Sequence, residues 1–297
     1  MRSLNTAKKY VALLGFVLAC ASQPAFARVL APPEPKETPE HGKINTSDAS
    51  PVDPGCYETE VVYSFGTTDK AWSNNGNKNA HGFTSEHSAA FSATAGISKN
   101  FDVTINLNHS WLKDKDNDFD DDGTPGPVSG NGFGDVEASA RYRFIQDKKL
   151  NLDVAYIIGL IIPSGTSSDQ DEMGISQEYW SFKQTLVASK DWGKWTANAD
   201  LGIALPFGDK RGDARVLLNA DVAAGYQVLS WLQPELELNY NYDVIENTGD
   251  PETFAVTAGL VMPVSETVRI NVGAQQGIAG RNADQMTTLF AAVKIAY

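Results

Sequence analysis

Apolar and polar residues alternate over long stretches of this chain, and this alternation limits its fold more than any other feature. From residue 101 to 111 the odd positions are apolar or aromatic except His109, and the even positions are polar. The opposite parity holds over 135–144 and 235–244. Because successive side chains of a strand point to opposite faces, the pattern predicts strands with one apolar and one polar face.

The same pattern predicts about twelve strands along the chain. They are expected at 57–66, 84–98, 101–113, 133–145, 149–162, 177–190, 193–206, 214–228, 231–245, 252–264, 267–279 and 285–297. No window approaches the roughly 20 apolar residues that a membrane-spanning helix needs. So many long two-faced strands predict an all-β chain, and specifically a transmembrane antiparallel β-barrel of about twelve strands.

The predicted connections alternate in length. Short ones lie at 98–100, 146–148, 191–192, 229–230 and 265–266, and generally longer ones at 67–83, 114–132, 163–176, 207–213, 246–251 and 280–284. Outer-membrane barrels have short periplasmic turns and longer outer loops. The alternation therefore predicts an even strand count with both termini in the periplasm.

The first 27 residues are typical of a signal peptide. Lys8 and Lys9 precede an apolar run over 10–19, and cleavage is expected after Ala27. An alternative takes residues 17–20 as a lipoprotein cleavage box that leaves a lipidated Cys20, although Leu18 is bulky for such a box. If Cys20 leaves with the signal peptide, Cys56 is the only mature cysteine and no intrachain disulfide can form.

Residues 28–55 form the second predicted segment, and 56–297 the barrel. The segment holds six prolines among charged and small residues and few aliphatic side chains. This composition predicts a disordered or extended periplasmic leader. The alternative, a plug folded into the barrel, is disfavoured because the segment has too few apolar residues to pack there.

The last predicted strand ends in Tyr297, with Leu289, Ala291, Val293 and Ile295 at alternate positions before it. An amphipathic last strand that ends in an aromatic residue resembles the assembly signal of outer-membrane barrels. The expected location is therefore the cell outer membrane, and the expected partners are its lipid and lipopolysaccharide, the barrel-assembly machinery and a small-molecule solute. Nucleic acid is disfavoured because 37 acidic residues outnumber 24 basic ones.

The polar faces of the strands predict a charged lumen. Its candidate lining residues are Asp135, Glu137, Arg141, Arg143, Lys183, Arg215, Glu235, Glu237 and Arg269. Two interpretations stay open: ion pairs that knit a tight lumen together, and a lining that selects a solute.

An acidic stretch at 114–123 lies in a predicted outer loop. Asp116, Asp118, Asp120 and Asp122 alternate ahead of Gly123, as hard oxygen ligands do in the first half of a Ca²⁺-binding loop. Position twelve of that template is Ser129 instead of glutamate, so an EF-hand is excluded. The alternatives are Ca²⁺ bound in this loop and a solvated acidic loop; no other cofactor is predicted.

Catalysis by a serine and histidine pair is disfavoured. His109 and Ser110 are adjacent on a strand and point to opposite faces, so they cannot share a proton. Ser85 and His87 share a face, but no other feature marks them as a site. The sequence therefore predicts that the protein is not an enzyme.

Two short patterns resemble a known family. Gly132-Phe133-Gly134-Asp135, followed by Arg141-Tyr142-Arg143-Phe144, and later Ile162-Pro163-Ser164-Gly165 are similar to the barrel family named for the meta-pathway of phenol degradation. The resemblance covers about residues 56–297. Members are regarded as outer-membrane transport proteins, so it implies passive passage of small, often hydrophobic or aromatic, molecules.

The glycines and Asp135 also have a physical interpretation. Gly132 and Gly134 would let the chain turn from a loop into the wall, with Asp135 facing inward toward Arg141 and Arg143. A structural role for Asp135 is favoured over a substrate contact.

Two functions therefore remain open at the level of sequence. The first is a passive channel or transporter for small solutes. The second is a non-conducting structural or adhesion barrel with acidic surface loops.

Overall fold

The computed structural model describes residues 43–115, 128–168, 173–246 and 249–297. Fourteen strands occur there: β1 (Tyr57–Trp72), β2 (Lys78–Ser98), β3 (Phe101–Asp114), β4 (Val128–Phe133), β5 (Val136–Asp147), β6 (Leu152–Ile162), β7 (Trp180–Trp192), β8 (Trp195–Phe207), β9 (Ala214–Tyr226), β10 (Gln233–Ile245), β11 (Glu252–Pro263), β12 (Val268–Arg281), β13 (Ala283–Asp284) and β14 (Thr287–Ala296). One 3₁₀ turn lies at Asp209–Arg211.

The strands form one closed antiparallel barrel. Neighbours in sequence pair with each other, and β1 closes the sheet by pairing with both β2 and β14. Strands β4 and β5 both pair with β3 and occupy one position in the wall, whereas β13 is a two-residue strand beside the end of β1. The wall therefore has twelve strand positions, as predicted. At the seam, Tyr57 and Tyr297 exchange two backbone hydrogen bonds of 3.2 and 2.8 Å.

The first hairpin is longer than predicted. The sequence suggested a connection at 67–83, but β1 and β2 pair as far as Trp72 and Lys78, with a bulge between Thr68 and Lys70. Strand ends that project out of the membrane contact water on both faces, so neither face has to be apolar. Period-two alternation therefore does not predict where these strands end. The strict alternation of connection lengths is also wrong at one place, because the connection 227–232 is as long as 208–213 and 246–251.

The barrel has an apolar exterior and a polar interior. Leu201, Leu236 and Val222 are among the large apolar side chains that stay exposed, and Leu201 is 61% exposed. The largest fully buried side chains are mostly polar and include Gln233, Glu237 and Asn198. This inverts the distribution of a water-soluble domain, and it is the distribution of a barrel surrounded by lipid.

Among the described residues, no helix has the length and apolarity needed to cross a bilayer.

Residues 43–55 are here called the lumen segment: it runs inside the barrel as far as Val52, and residues 53–55 are exposed just before β1. Lys43, Thr46, Ala49 and Val52 are buried, and partners from several strands contact the segment. The prediction of a disordered or extended periplasmic leader over 28–55 is therefore wrong for residues 43–52. The prediction assumed apolar packing, whereas the segment is held by hydrogen bonds to a polar wall. The predicted signal peptide 1–27, with Cys20, and residues 28–42 lie outside the described residues.

Candidate functional site

Glu237 on β10 holds the first part of the lumen segment. Its Oε1 accepts a hydrogen bond from the Ile44 amide at 2.9 Å, and both of its carboxylate oxygens lie 3.1 Å from the Asn45 amide nitrogen. The Glu237 side chain is 0% exposed. A buried carboxylate needs such donors, and charge-assisted hydrogen bonds are stronger than neutral ones. The segment supplies donors where the wall supplies a buried acceptor.

Strands β7 and β8 hold the middle of the segment. The Ser47 amide donates to Asp200 Oδ2 at 2.7 Å, and the Ala49 amide donates to Ser189 Oγ at 3.0 Å. In the other direction, the Asn198 side-chain amide donates to the Ser47 carbonyl at 3.0 Å. These side chains therefore satisfy the backbone of a segment that belongs to no strand.

Arg141 and Asp102 hold the last part of the segment. The Val52 amide donates to Asp102 Oδ2 at 2.9 Å, and Arg141 Nη1 donates to the Asp48 carbonyl at 2.7 Å. Arg141 also forms an ion pair with Asp102, whose two carboxylate oxygens both lie 3.2 Å from Arg141 Nε. One ion pair between β3 and β5 thus binds two points of the lumen segment.

Glu235 forms an ion pair with the segment itself. Lys43 Nζ lies 3.4 Å from Glu235 Oε1, and both side chains are buried. Lys43 also donates to Thr196 Oγ1 at 3.3 Å. Glu235 and Glu237 stand two residues apart on β10 and so face the same side of the wall. Both of these candidate residues contact the lumen segment.

Three other candidate residues form ion pairs within the wall. Lys183 Nζ lies 2.9 and 2.8 Å from the two carboxylate oxygens of Glu137. Arg143 donates to Asp153 at 2.8 Å and to the Lys99 carbonyl at 2.9 Å. The Lys183–Glu137 pair connects β7 to β5 across β6, and the Arg143–Asp153 pair connects β5 to its neighbour β6, as the interpretation of a lumen held together by ion pairs requires.

Arg269 belongs to a second charged group on the other side of the lumen. It lies 4.0 Å from Glu60 on β1, and Lys294 on β14 lies 2.6 Å from Glu58. The sequence prediction missed Glu58 and Glu60, although both alternate with Tyr57, Thr59 and Val61 and could have been found by parity. It also missed Lys43 and Asp48, because nothing in their sequence context predicts a position inside the barrel.

Arg215 lies at one end of the barrel. It forms an ion pair with Glu246 and donates to the Gly212 carbonyl at 3.0 Å. The hydrogen bond from Arg215 holds the pKa of the Glu246 carboxyl below its ordinary value. Arg215 therefore joins the connections 208–213 and 246–251, and it is distant from the residues that hold the lumen segment.

Asp135 organises the connection 163–179. Its Oδ1 accepts hydrogen bonds from the Gly165 amide at 3.0 Å and the Ser176 hydroxyl at 2.6 Å, and its Oδ2 accepts one from the Gln177 amide at 2.9 Å. The two arginines it was expected to face have other partners, Asp102 and Asp153. These contacts agree with a structural role for Asp135.

The glycines before Asp135 allow close packing. A Cβ on Gly132 would lie 2.1 Å from Thr166 Oγ1, and one on Gly134 would lie 2.1 Å from Asn108 Oδ1. Neither glycine has a positive φ. Gly132 lies within β4 and Gly134 in the break before β5, where the missing side chains let Thr166 and Asn108 approach the backbone closely.

The candidate Ca²⁺ ligands Asp116, Asp118, Asp120 and Asp122 lie outside the described residues. Within the described ranges, no group of three or more His, Cys, Asp or Glu side chains is arranged to hold a metal ion.

His87 and His109 both contact aromatic side chains. His87 Nδ1 lies 2.6 Å from the Tyr63 hydroxyl, and its ring packs 4.5 Å from that of Phe65. His109 packs against Trp111 and Phe133, with ring centroids 4.3 and 5.0 Å away. Both histidines are thus engaged with aromatic side chains.

The lumen segment leaves part of the interior open. Three adjoining cavities of about 390, 260 and 240 Å³ lie beside it. Their lining is shared between the lumen segment and the wall and includes Glu58, Glu60, Arg141, Arg269 and Lys294. The geometry therefore consists of a polar segment held against part of the wall and a charged space along the rest.

Comparison with known proteins gives a family and a fold. The family model described as "Putative MetA-pathway of phenol degradation" matches residues 114–292. The COG4313 outer membrane channel from Pseudomonas putida F1 is similar in structure, with a TM-score of 0.71 at 15% identity over 86% of this chain and 100% of that one. The beta domain of the Bordetella autotransporter BrkA follows, with a TM-score of 0.51 at 13% identity over 81% and 99%. A search of curated proteins finds no match.

The fold and the exterior together give the location. A closed antiparallel barrel removes every sheet edge, and its exposed side chains here are aliphatic and aromatic. Lipid is the environment that such an exterior matches, and antiparallel barrels of this kind occupy outer membranes. The protein is an outer-membrane β-barrel.

Proposed function

We propose that this chain, which belongs to the family described as "Putative MetA-pathway of phenol degradation", is a passive outer-membrane channel for small solutes whose passage is narrowed by the lumen segment. The supporting observation is the division of the interior between that segment and adjoining cavities of about 390, 260 and 240 Å³. A barrel whose interior was filled by ion-paired side chains would not contain cavities of this size. The structural similarity to an outer membrane channel supports a role in transport.

The proposed topology has both termini in the periplasm. Turns such as 99–100 and 193–194 are then periplasmic, and the connections 163–179 and 208–213 face the cell exterior. Tyr57 and Tyr297 lie at the periplasmic rim in this orientation. The barrel-assembly machinery is the proposed route of insertion, and lipopolysaccharide and lipid are the proposed surroundings. Ca²⁺ bound by the acidic stretch around Asp118 is a further proposal.

The alternative function, a non-conducting structural or adhesion barrel, is favoured by one observation. Buried carboxylates fix the lumen segment at several points, and a segment held this firmly could seal the interior. The acidic loops would then contact surface partners. The two functions differ in whether solutes cross the barrel at all.

Conductance in planar bilayers separates these functions. The full protein should give small steady single-channel steps, and the double substitution Asp200→Ala, Glu237→Ala should give larger ones because the lumen segment loses two anchors. Glu246→Ala, at the end of the barrel, is the control and should conduct like the unaltered protein. A folded protein that gives no steps, with the anchors present or absent, would contradict the channel and support the structural barrel.

A further inference from the structure

We propose that solutes pass between the lumen segment and the wall formed by β1, β12 and β14, and that this conduit accepts small polar solutes carrying both charges in preference to apolar ones. The inference rests on the proposed channel function.

The lumen segment is anchored along the arc of the wall that runs from β3 to β11. Its contacts described above come from β3 and β5, from β7 and β8, and from β10. Asn45 adds a contact to β11, because its side-chain amide donates to Thr257 Oγ1 at 2.9 Å. A solute therefore does not need to displace these anchors if it travels along the remaining strands.

The cavities lie along β1, β12 and β14, and one of them also extends to β2, β3 and β5, where Asp102 and Arg141 line it. Glu60 lines all three, and Glu58 and Lys294 line two of them. The third cavity continues along β1, β12 and β14, where its lining includes Ser64, Gln275 and Thr288. Because they share lining residues, the three spaces adjoin one another and follow β1 along the barrel.

The conduit carries charges of both signs close together. Glu58 and Glu60 alternate on β1, and their partners Lys294 and Arg269 project from β14 and β12. Arg141 reaches the same space from β5. Carboxylates and cations therefore line one narrow passage, and its charge is nearly balanced.

This lining favours some solutes over others. An apolar solute would displace water from charged groups and gain little apolar contact in return, which is unfavourable. A solute with both an ammonium and a carboxylate can replace that water on both kinds of lining group. A simple ion is attracted by the lining groups of opposite charge and repelled by those of like charge. Selectivity between cations and anions should therefore be weak while the ion pairs are intact.

The path is tested by ion selectivity in planar bilayers under a KCl gradient. The double variant Glu58→Gln, Glu60→Gln removes the carboxylates that lie beside Lys294 and Arg269 and leaves the conduit with an excess of positive charge. The chloride-to-potassium permeability ratio should then rise by at least about threefold, because uncompensated cations attract anions in a confined passage. Glu246→Gln removes an equivalent carboxylate outside the conduit and should leave the ratio unchanged. The single variant Glu60→Gln, with a smaller rise expected, serves if the double variant does not fold.

The permeability ratio tests the conduit, whereas the presence of conductance tests the channel function. Channels that conduct with the same ratio in the Glu58 and Glu60 variants overturn the conduit and leave the channel intact. Absence of conductance in all folded proteins, including the Asp200→Ala, Glu237→Ala variant, overturns the channel function and the conduit with it. A raised ratio in the double variant and an unchanged ratio in the control support both.

The solute class is tested by liposome swelling at pH 7.5 with a matched pair of solutes. γ-Aminobutyrate and valerate have the same chain length and carboxylate, but valerate carries a methyl group in place of the ammonium. With the rates of protein-free liposomes subtracted, γ-aminobutyrate should enter several times faster, about threefold or more, because only it can satisfy both lining charges. Equal entry, or faster entry of valerate, would overturn the proposed preference.

Discussion

Both carboxylate oxygens of Glu237 lie 3.1 Å from the backbone amide nitrogen of Asn45, a residue 192 positions earlier in the chain. The contact joins the wall of the barrel to a segment that passes through its interior. Because the Glu237 carboxylate is buried, its loss would leave the amides of Ile44 and Asn45 without their acceptor.

Removal of that acceptor should loosen the start of the lumen segment. In Glu237→Ala, hydrogen exchange at residues 44–46 should be about tenfold faster or more, since a hydrogen bond to a charged group contributes about 1.5–3 kcal/mol. Exchange measured by mass spectrometry in detergent checks this. Glu246→Ala should leave exchange at 44–46 unchanged, and unchanged exchange in Glu237→Ala would mean that the anchor does not hold the segment.

The connection 163–179 should depend on Asp135. Asp135→Asn keeps one acceptor oxygen, so either the Gln177 amide or the Gly165 and Ser176 donors lose their acceptor, at a cost of about 1–3 kcal/mol. Limited proteolysis should cut this connection faster, while the barrel keeps its heat-modifiable mobility in gels. The exposed Asp209 supplies the control, Asp209→Asn. A variant that resists protease but loses transport would favour a substrate contact for Asp135 instead.

The strands were the part of the fold that could be predicted from sequence. Lipid on one side and polar lumen on the other impose period two, so the pairing of Tyr57 with Tyr297 follows from the predicted first and last strands. The break between β4 and β5 could not be predicted in this way. It depends on donors such as Gly165 and Gln177, which lie 30 and 42 residues from Asp135 in sequence.

The lumen segment was missed for a different physical reason. Its low apolar content argues against packing only if the surroundings are apolar. In this barrel the interior is polar, and the backbone amides of Ser47 and Val52 find carboxylates on the wall. The candidate residues Glu235, Glu237 and Arg141 were found by parity, but their partners in the segment carry no periodic pattern.

The apolar exterior should not tolerate charge. Leu201 on β8 is 61% exposed and faces lipid in the proposed orientation. Leu201→Lys should destabilise the folded barrel by about 2–4 kcal/mol, the cost of a lysine near the bilayer midplane. Urea unfolding in lipid vesicles measures the loss. Leu150→Lys, in the turn between β5 and β6, is the control with a small expected effect; an equally small effect at Leu201 would contradict a membrane-facing β8.

Acidification should weaken the contact between two connections. The hydrogen bond from Arg215 lowers the pKa of Glu246 in the folded state, so this contact stabilises the fold above the ordinary glutamate pKa of 4.5. The stabilisation is lost as the pH falls through the lowered folded value. Hydrogen exchange of residues 208–213 should therefore be faster in Glu246→Gln than in the unaltered protein at pH 7. The difference should disappear at low pH, and a difference independent of pH would contradict an ionic contact.

A reversible disulfide between the lumen segment and the wall tests directly whether the position of this segment controls conductance. The Ala49 amide lies 3.0 Å from Ser189 Oγ, so cysteines at these two positions should form a disulfide across the interior once Cys56 is replaced by serine. In the Asp200→Ala, Glu237→Ala background, single-channel conductance should be small while the disulfide holds the segment and should increase when dithiothreitol reduces it. Equal conductance before and after reduction, with the disulfide verified by mass spectrometry, would contradict a channel narrowed by residues 43–55.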